Sequence, residues 1–192
     1  MNQRRRFLGL SSAALLAWLA ARPGSANADD SGEAAAILRQ GGCAVLLRHS
    51  LTEPGIGDPA EFRLDDCTTQ RNLSDQGRAQ SACIGRWFGS RSLAPRIVYS
   101  SQWCRCRDTA RIAFEQYEEL PALNSTFQGQ GDQPAQIRML RKVLRDIPAG
   151  QFDVFVTHQV IITALAERGT SMGEAVIVDH HGKPLARFTP TC

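Results

Sequence analysis

Apolar residues fall into two kinds of run along this chain. Cys43-Ala44-Val45-Leu46-Leu47, Ile97-Val98-Tyr99 and Phe152-Asp153-Val154-Phe155-Val156 are short and almost unbroken. Strands covered on both faces have this signature, because neither side of the pleat meets water. Between them lie stretches whose apolar residues recur every three or four positions, as on a helix packed on one side. Ser74 suits the N-cap of one such helix, with Ala79, Cys83 and Trp87 at spacing four and Ile84 and Phe88 widening the face. A second carries Cys106, Ala110 and Ala113-Phe114, and a third, entered at Pro134, carries Ile137, Leu140, Leu144 and Ile147. Shorter helices are predicted over 33–39, closed by Gly41, and from about Val160 to Arg168, closed by Gly169. Ala175–Val178 and Leu185–Phe188 read as a hairpin around His181-Gly182. Buried strands alternating with amphipathic helices predict an α/β fold, a three-layer sandwich with a mostly parallel mixed sheet covered by helices on both faces.

The first residues stand outside this pattern. Arg4-Arg5-Arg6 is followed by an apolar stretch from Phe7 to Ala21 and by the small-residue site Ala26-Asn27-Ala28. Charged head, apolar stretch and A-x-A site together describe a secretory leader, here with a twin-arginine character. The apolar stretch is shorter than the roughly 20 residues a spanning helix needs. The expectation is therefore a leader over 1–28, cleaved after Ala28 once the export machinery has acted, and a single periplasmic domain over 29–192 without stable membrane insertion. Removing the leader takes away four arginines and no acid, so the formal charge falls from +3 to −1. The basic balance belongs to the leader, and composition gives no reason to expect a nucleic-acid partner.

All six cysteines, Cys43, Cys67, Cys83, Cys104, Cys106 and Cys192, lie beyond the leader. An even count in an oxidising compartment points to disulfides. Cys104-Arg105-Cys106 lacks the partner C-x-x-C or H-x-x-x-H that a zinc site needs, and its spacing is wrong for a thiol redox motif. No metal ligands and no cofactor are expected.

Chemistry gathers where the three buried strands end. The first runs into Arg48-His49-Ser50, the second into Ser100-Ser101 with Arg105 in the helix beyond, and the third into Thr157-His158. In open α/β sheets ligands sit outside the carboxyl ends of the strands. Two arginines and two histidines there would surround one anion, helped by the N–H groups of the helix starts. Guanidinium groups match phosphate oxygens, and an imidazole flanked by positive charge stays neutral and nucleophilic.

These segments resemble the motifs of the histidine phosphatase (phosphoglycerate-mutase-like) superfamily. Leu46-Leu47-Arg48-His49-Ser50 resembles its Arg-His-Gly signature, and Ser100-Ser101-Gln102-Trp103-Cys104-Arg105-Cys106-Arg107-Asp108-Thr109-Ala110 resembles S-S-x-x-x-R-A-x-x-T-A. Phe155-Val156-Thr157-His158 resembles the third motif, and Asn72 to Gln80 matches N-L-S-x-x-G-x-x-Q. The resemblance implies that His49 is the phosphoacceptor, that Arg48, Arg105 and His158 form the phosphate pocket, and that Arg107 faces outward. It implies a small phosphorylated substrate and a phosphomonoesterase working without metal through phosphohistidine. The alternative is a catalytically impaired binder of phosphate ligands on the same fold.

Two departures matter. Ser50 stands where Gly or Ala is usual, and the Glu donor of mutase-like members is missing from Leu123-Asn124-Ser125-Thr126-Phe127. Asp58, Glu61 and Glu174 are the candidate proton donors, with Glu174, just before a strand, preferred. Cys67, in the loop after the first motif, and Cys104, next to Arg105, both belong at the carboxyl edge of the sheet, so a Cys67–Cys104 bridge is expected. A weaker expectation pairs Cys43 with Cys192 and leaves Cys83 and Cys106 free and buried.

Overall fold

A computed structural model describes residues 26–192, so most of the expected leader lies outside the described residues. Helix α1 spans Ala26–Gln40 and is longer than the sequence pattern predicts. The extra residues, 26–32, read Ala-Asn-Ala-Asp-Asp-Ser-Gly and carry no apolar stripe that would mark them as helix in the sequence. β1 (Cys43–Arg48), α2 (Asp75–Gly89), β2 (Val98–Ser100), α3 (Cys104–Phe114) and β3 (Glu118–Glu119) follow. The chain then forms α4 (Gln133–Arg145), β4 (Phe152–Thr157), α5 (Gln159–Ala166), β5 (Ala175–Asp179) and β6 (Pro184–Phe188). Among the described residues no helix is long and apolar enough to cross a membrane.

The strands form one sheet in the order β3-β2-β4-β1-β5-β6. β1 and β4 are parallel in the centre, β2 joins β4 and β3 joins β2 in the same sense, while β5 and β6 close the other side antiparallel. The period of two along each strand splits the core. Val45, Leu47, Val154, Val156 and Ile177 pack with Leu38, Ile84, Trp87, Phe88 and Ala110 of α1, α2 and α3. Ala44, Leu46, Phe155, Val176 and Val178 pack on the other face against Leu140, Leu144, Ile161, Ile162 and Leu165 of α4 and α5. The result is the expected α/β three-layer sandwich. β3 escapes the sequence pattern because it is two exposed glutamates on an edge, with no apolar residue to mark a strand.

Two disulfides brace the fold. Cys67 and Cys104 are joined with Cα atoms 5.7 Å apart, as expected. The second bridge corrects the weaker expectation: Cys192 pairs with Cys83, Cα atoms 5.4 Å apart, while Cys43 and Cys106 are free and buried. Cys43 points into the sheet face occupied by Leu38 and Trp87. Cys83 is only half-buried on α2, where the chain end can reach it.

Candidate active site

β1, β2 and β4 deliver their last residues to one edge of the sheet, and hydrogen bonds tie those ends together. His49 N–H donates to Thr157 O at 3.0 Å and Ser101 N–H to Val156 O at 2.9 Å. Helices α3 and α5 start directly beyond, so Arg105 sits in a first turn and His158 is an N-cap residue. The N-L-S-x-x-G-x-x-Q segment locks the turn after β1. Gly77 packs so closely on Leu51 that a Cβ there would lie 1.8 Å from Leu51 O. Gln80 Oε1 accepts from Leu51 N–H at 3.0 Å, and Gln80 Nε2 donates to Met172 O at 3.1 Å. Ser50 fits without strain, because it is absent from the positive-φ residues and its Oγ accepts from Ser81 Oγ at 2.8 Å.

Arg48, His49, Arg105 and His158 come together on a cavity of about 590 Å³. The two imidazoles lie edge to face with ring centroids 5.4 Å apart. His49 Nδ1 is 2.9 Å from Ser50 O. A carbonyl only accepts, so Nδ1 carries the hydrogen and Nε2 keeps its lone pair. Burial, then the positive charge of Arg105, pushes the His49 pKa down to about 3. His158 is held well below the ordinary histidine value by the same two causes in the same order. Its Nδ1 is 3.5 Å from Arg105 Nη2, which can only donate, and its Nε2 is 2.9 Å from Ser101 Oγ. Ser101 Oγ in turn donates to Asn124 Oδ1 at 3.2 Å. His158 is therefore neutral, with its hydrogen on Nε2.

Sequence reasoning missed Arg71, a third arginine of the cavity wall. Its Nε donates to Gly57 O at 2.9 Å and its Nη1 to Thr52 Oγ1 at 2.6 Å and Gly55 O at 3.0 Å. The only signal is its place just before Asn72-Leu73-Ser74, and an arginine ahead of an N-cap is common. Arg48 and Arg105 each bury an Nε that has no hydrogen-bond partner. Both residues also line the cavity, where their fixed positive charge is what an anion would meet. Arg107, by contrast, points away to Glu119 Oε1 at 3.2 Å.

The preferred donor candidate is corrected. Glu174 sends its carboxylate toward β6, where Arg187 grips both oxygens and Ser171 N–H donates to Oε2 at 2.6 Å. Against an opposing burial effect, these contacts hold Glu174 below the usual carboxylate range, and it does not line the cavity. The backbone of Glu174 adjoins Arg48, which is why its sequence position is misleading. Glu61 is exposed and also outside the cavity. Asp58 lines it, paired with Arg105 at 2.7 Å.

The depressed histidines give a stability prediction. Below the ordinary histidine pKa of about 6.5 the unfolded chain takes up protons that the folded chain refuses, so folding weakens as pH falls. His49 alone is expected to cost ~2 kcal/mol between about pH 7 and 5, and His158 adds to it in the same direction. Denaturant unfolding at the two pH values measures this; equal stability would contradict neutral, buried imidazoles.

Residues 44–130 match the histidine phosphatase superfamily (branch 1). Solved structures share the fold. The protein histidine phosphatase SixA bound to tungstate aligns with TM-score 0.55 at 15% identity, covering 77% of this chain and 97% of that one. A putative α-ribazole-5′-P phosphatase from Escherichia coli aligns with TM-score 0.57 at 15% identity, over 78% and 96% of the two chains. A phosphoglycerate mutase from Thermus thermophilus aligns with TM-score 0.54 at 19% identity, over 77% and 98%. A comparison with curated protein sequences yields no match.

Proposed function

As a member of the histidine phosphatase superfamily, this chain, we propose, hydrolyses phosphomonoesters by passing the phosphoryl group to His49 Nε2 and then to water. The observation that carries this reading is a neutral imidazole whose Nδ1 is tied to Ser50 O, set in a cavity that Arg48, Arg71 and Arg105 also line. Tying Nδ1 fixes the tautomer and leaves Nε2 as the attacking atom. Three guanidinium groups, Arg48, Arg71 and Arg105, offer fixed positive charge to the phosphoryl oxygens. Preorganised charge of this kind lowers the barrier because nothing has to reorient as the transition state forms. A phosphoryl group beside His158 Nδ1 would raise its proton affinity and turn it from an acceptor into a donor. Water then attacks the phosphoryl group on His49 and returns the ring to its neutral state. The charged head, apolar stretch and Ala26-Asn27-Ala28 site support export to the periplasm.

Apart from Arg48, Arg71, Arg105 and Asp58 the cavity lining carries no fixed charge, and Gln128, Gln130, Gln133, Gln159, Ile56 and Phe127 make up much of the remainder. A leaving group with a second anion finds no cation of its own there. An unpartnered polar group of this sort costs about 1–3 kcal/mol, so monophosphates with a neutral remainder are expected to exceed bisphosphates and phosphocarboxylates in kcat/KM by roughly tenfold or more. The class is tested with an aryl phosphate in the presence of EDTA, since a phenolate leaves without an acid. Turnover that survives EDTA supports the reading. Absence of turnover with tight phosphate binding would instead make the chain a phosphate-ligand binder.

A further inference from the structure

Asp58 is more tightly held than any proton donor should be. Its Oδ1 accepts from Arg105 Nη1 at 2.7 Å and from Arg71 N–H at 3.0 Å. Its Oδ2 accepts from Trp103 Nε1 at 3.0 Å and from Arg105 Nη2 at 3.1 Å. A carboxylate offers about four lone-pair positions, and here all are filled. No position is left for a proton, so Asp58 is not poised as an acid. The carboxylate also takes both terminal nitrogens of the arginine that the phosphate site needs. Both side chains of the pair are nearly buried, 5% and 6% exposed. The loop that brings Asp58 in turns at Gly55 and Gly57, which lie at φ 136° and 71°, and is strapped by Arg71 to the carbonyls of both glycines.

The charges of the floor explain such an arrangement. Arg48, Arg71 and Arg105 converge on two neutral histidines, and burial, with the neighbouring guanidinium charges adding to it, depresses the proton affinity of Arg48 and Arg71. Three guanidinium charges against one carboxylate leave a net +2, which matches the dianion of a phosphate monoester and of inorganic phosphate. Without the carboxylate the floor would hold +3 and would grip the dianionic product after the reaction.

We propose that Asp58 is the counter-charge of the phosphate site, competing with phosphate for the Arg105 fork so that the product is bound loosely enough to leave. Asp58 is thus a positioning and affinity-setting residue, not a catalytic one. This rests on the phosphatase reading of the same cavity, but fails separately from it. The test is calorimetric titration of inorganic phosphate into the wild-type protein and Asp58→Asn, alongside kinetics on one aryl and one alkyl phosphate. Asparagine keeps the shape and removes the charge. The expected result is phosphate binding tightened by about tenfold in Asp58→Asn, with KM falling as well. Weaker phosphate binding would overturn the proposal, since Asp58 would then only align Arg105. Unchanged phosphate binding with a loss confined to the alkyl substrate would also overturn it, by making Asp58 the acid. A wild-type protein that neither binds phosphate nor turns over would defeat the phosphatase reading instead. If thermal unfolding shows that Asp58→Asn does not fold, Trp103→Phe removes one donor from the carboxylate and eases its displacement. Phosphate binding is then expected to tighten about threefold, and weakening would again overturn the proposal.

Discussion

Replacing His49 with alanine is expected to lower kcat for an aryl phosphate by on the order of 10⁴-fold or more, because the atom that receives the phosphoryl group is gone. The loss should not come from unfolding. His49 is buried as a neutral ring whose one hydrogen bond is to the neighbouring carbonyl, Ser50 O. Its removal leaves no charge unpaired. Phosphate binding should persist in the variant, since Arg48, Arg71 and Arg105 remain. Steady-state kinetics and phosphate titration on the same preparation check both halves. Full activity in His49→Ala would end the phosphohistidine account.

Arg105→Ala is the second large effect. Its guanidinium meets Asp58 through both terminal nitrogens, approaches His158 Nδ1 at 3.5 Å and keeps a buried Nε free. Loss of a preorganised charge at a transition state costs about 10²–10³-fold in kcat. Here a second cost is added, because Asp58 is left nearly buried with its main partner gone. Removing one partner of a buried pair destabilises by about 3–5 kcal/mol. Thermal unfolding of Arg105→Ala should therefore show a lower Tm together with the kinetic defect. Arg107→Ala is the control. That side chain pairs with Glu119 on the outside and is expected to change kcat by less than about threefold, as befits an exposed pair. A larger defect in Arg107→Ala than in Arg105→Ala would mean that the arginine of the second motif is misassigned.

The central strands were legible because burial on both faces leaves a signal that no surface segment shares, and β1 and β4 lie where their unbroken apolar runs are. The ends of those strands carried the legible part of the site, since Arg48, His49 and His158 follow directly in sequence from buried runs. What stayed hidden depends on contacts between distant segments. Arg71 becomes a wall of the cavity only through its bonds to the loop at Thr52, Gly55 and Gly57. Glu174 looked placed for the cavity because it enters β5, yet its side chain is claimed by Arg187 across the hairpin. Six cysteines allow fifteen full pairings. The Cys67–Cys104 pair could be reasoned from the carboxyl edge of the sheet. The Cys83–Cys192 pair depends on where the C-terminus runs, and no local pattern encodes that. Asp58 could be named from its loop, but its role as partner of Arg105 needed the fold.

The most direct test of the account is to trap the covalent intermediate. Enzyme mixed with a radiolabelled monoester, quenched in alkali to preserve the phosphoramidate, is digested and the label mapped. The account predicts label on His49 at Nε2, the nitrogen left free when Nδ1 is bound to Ser50 O. Label on Nδ1 or on another residue, or rapid turnover with no phosphate ever attached to His49, would contradict it.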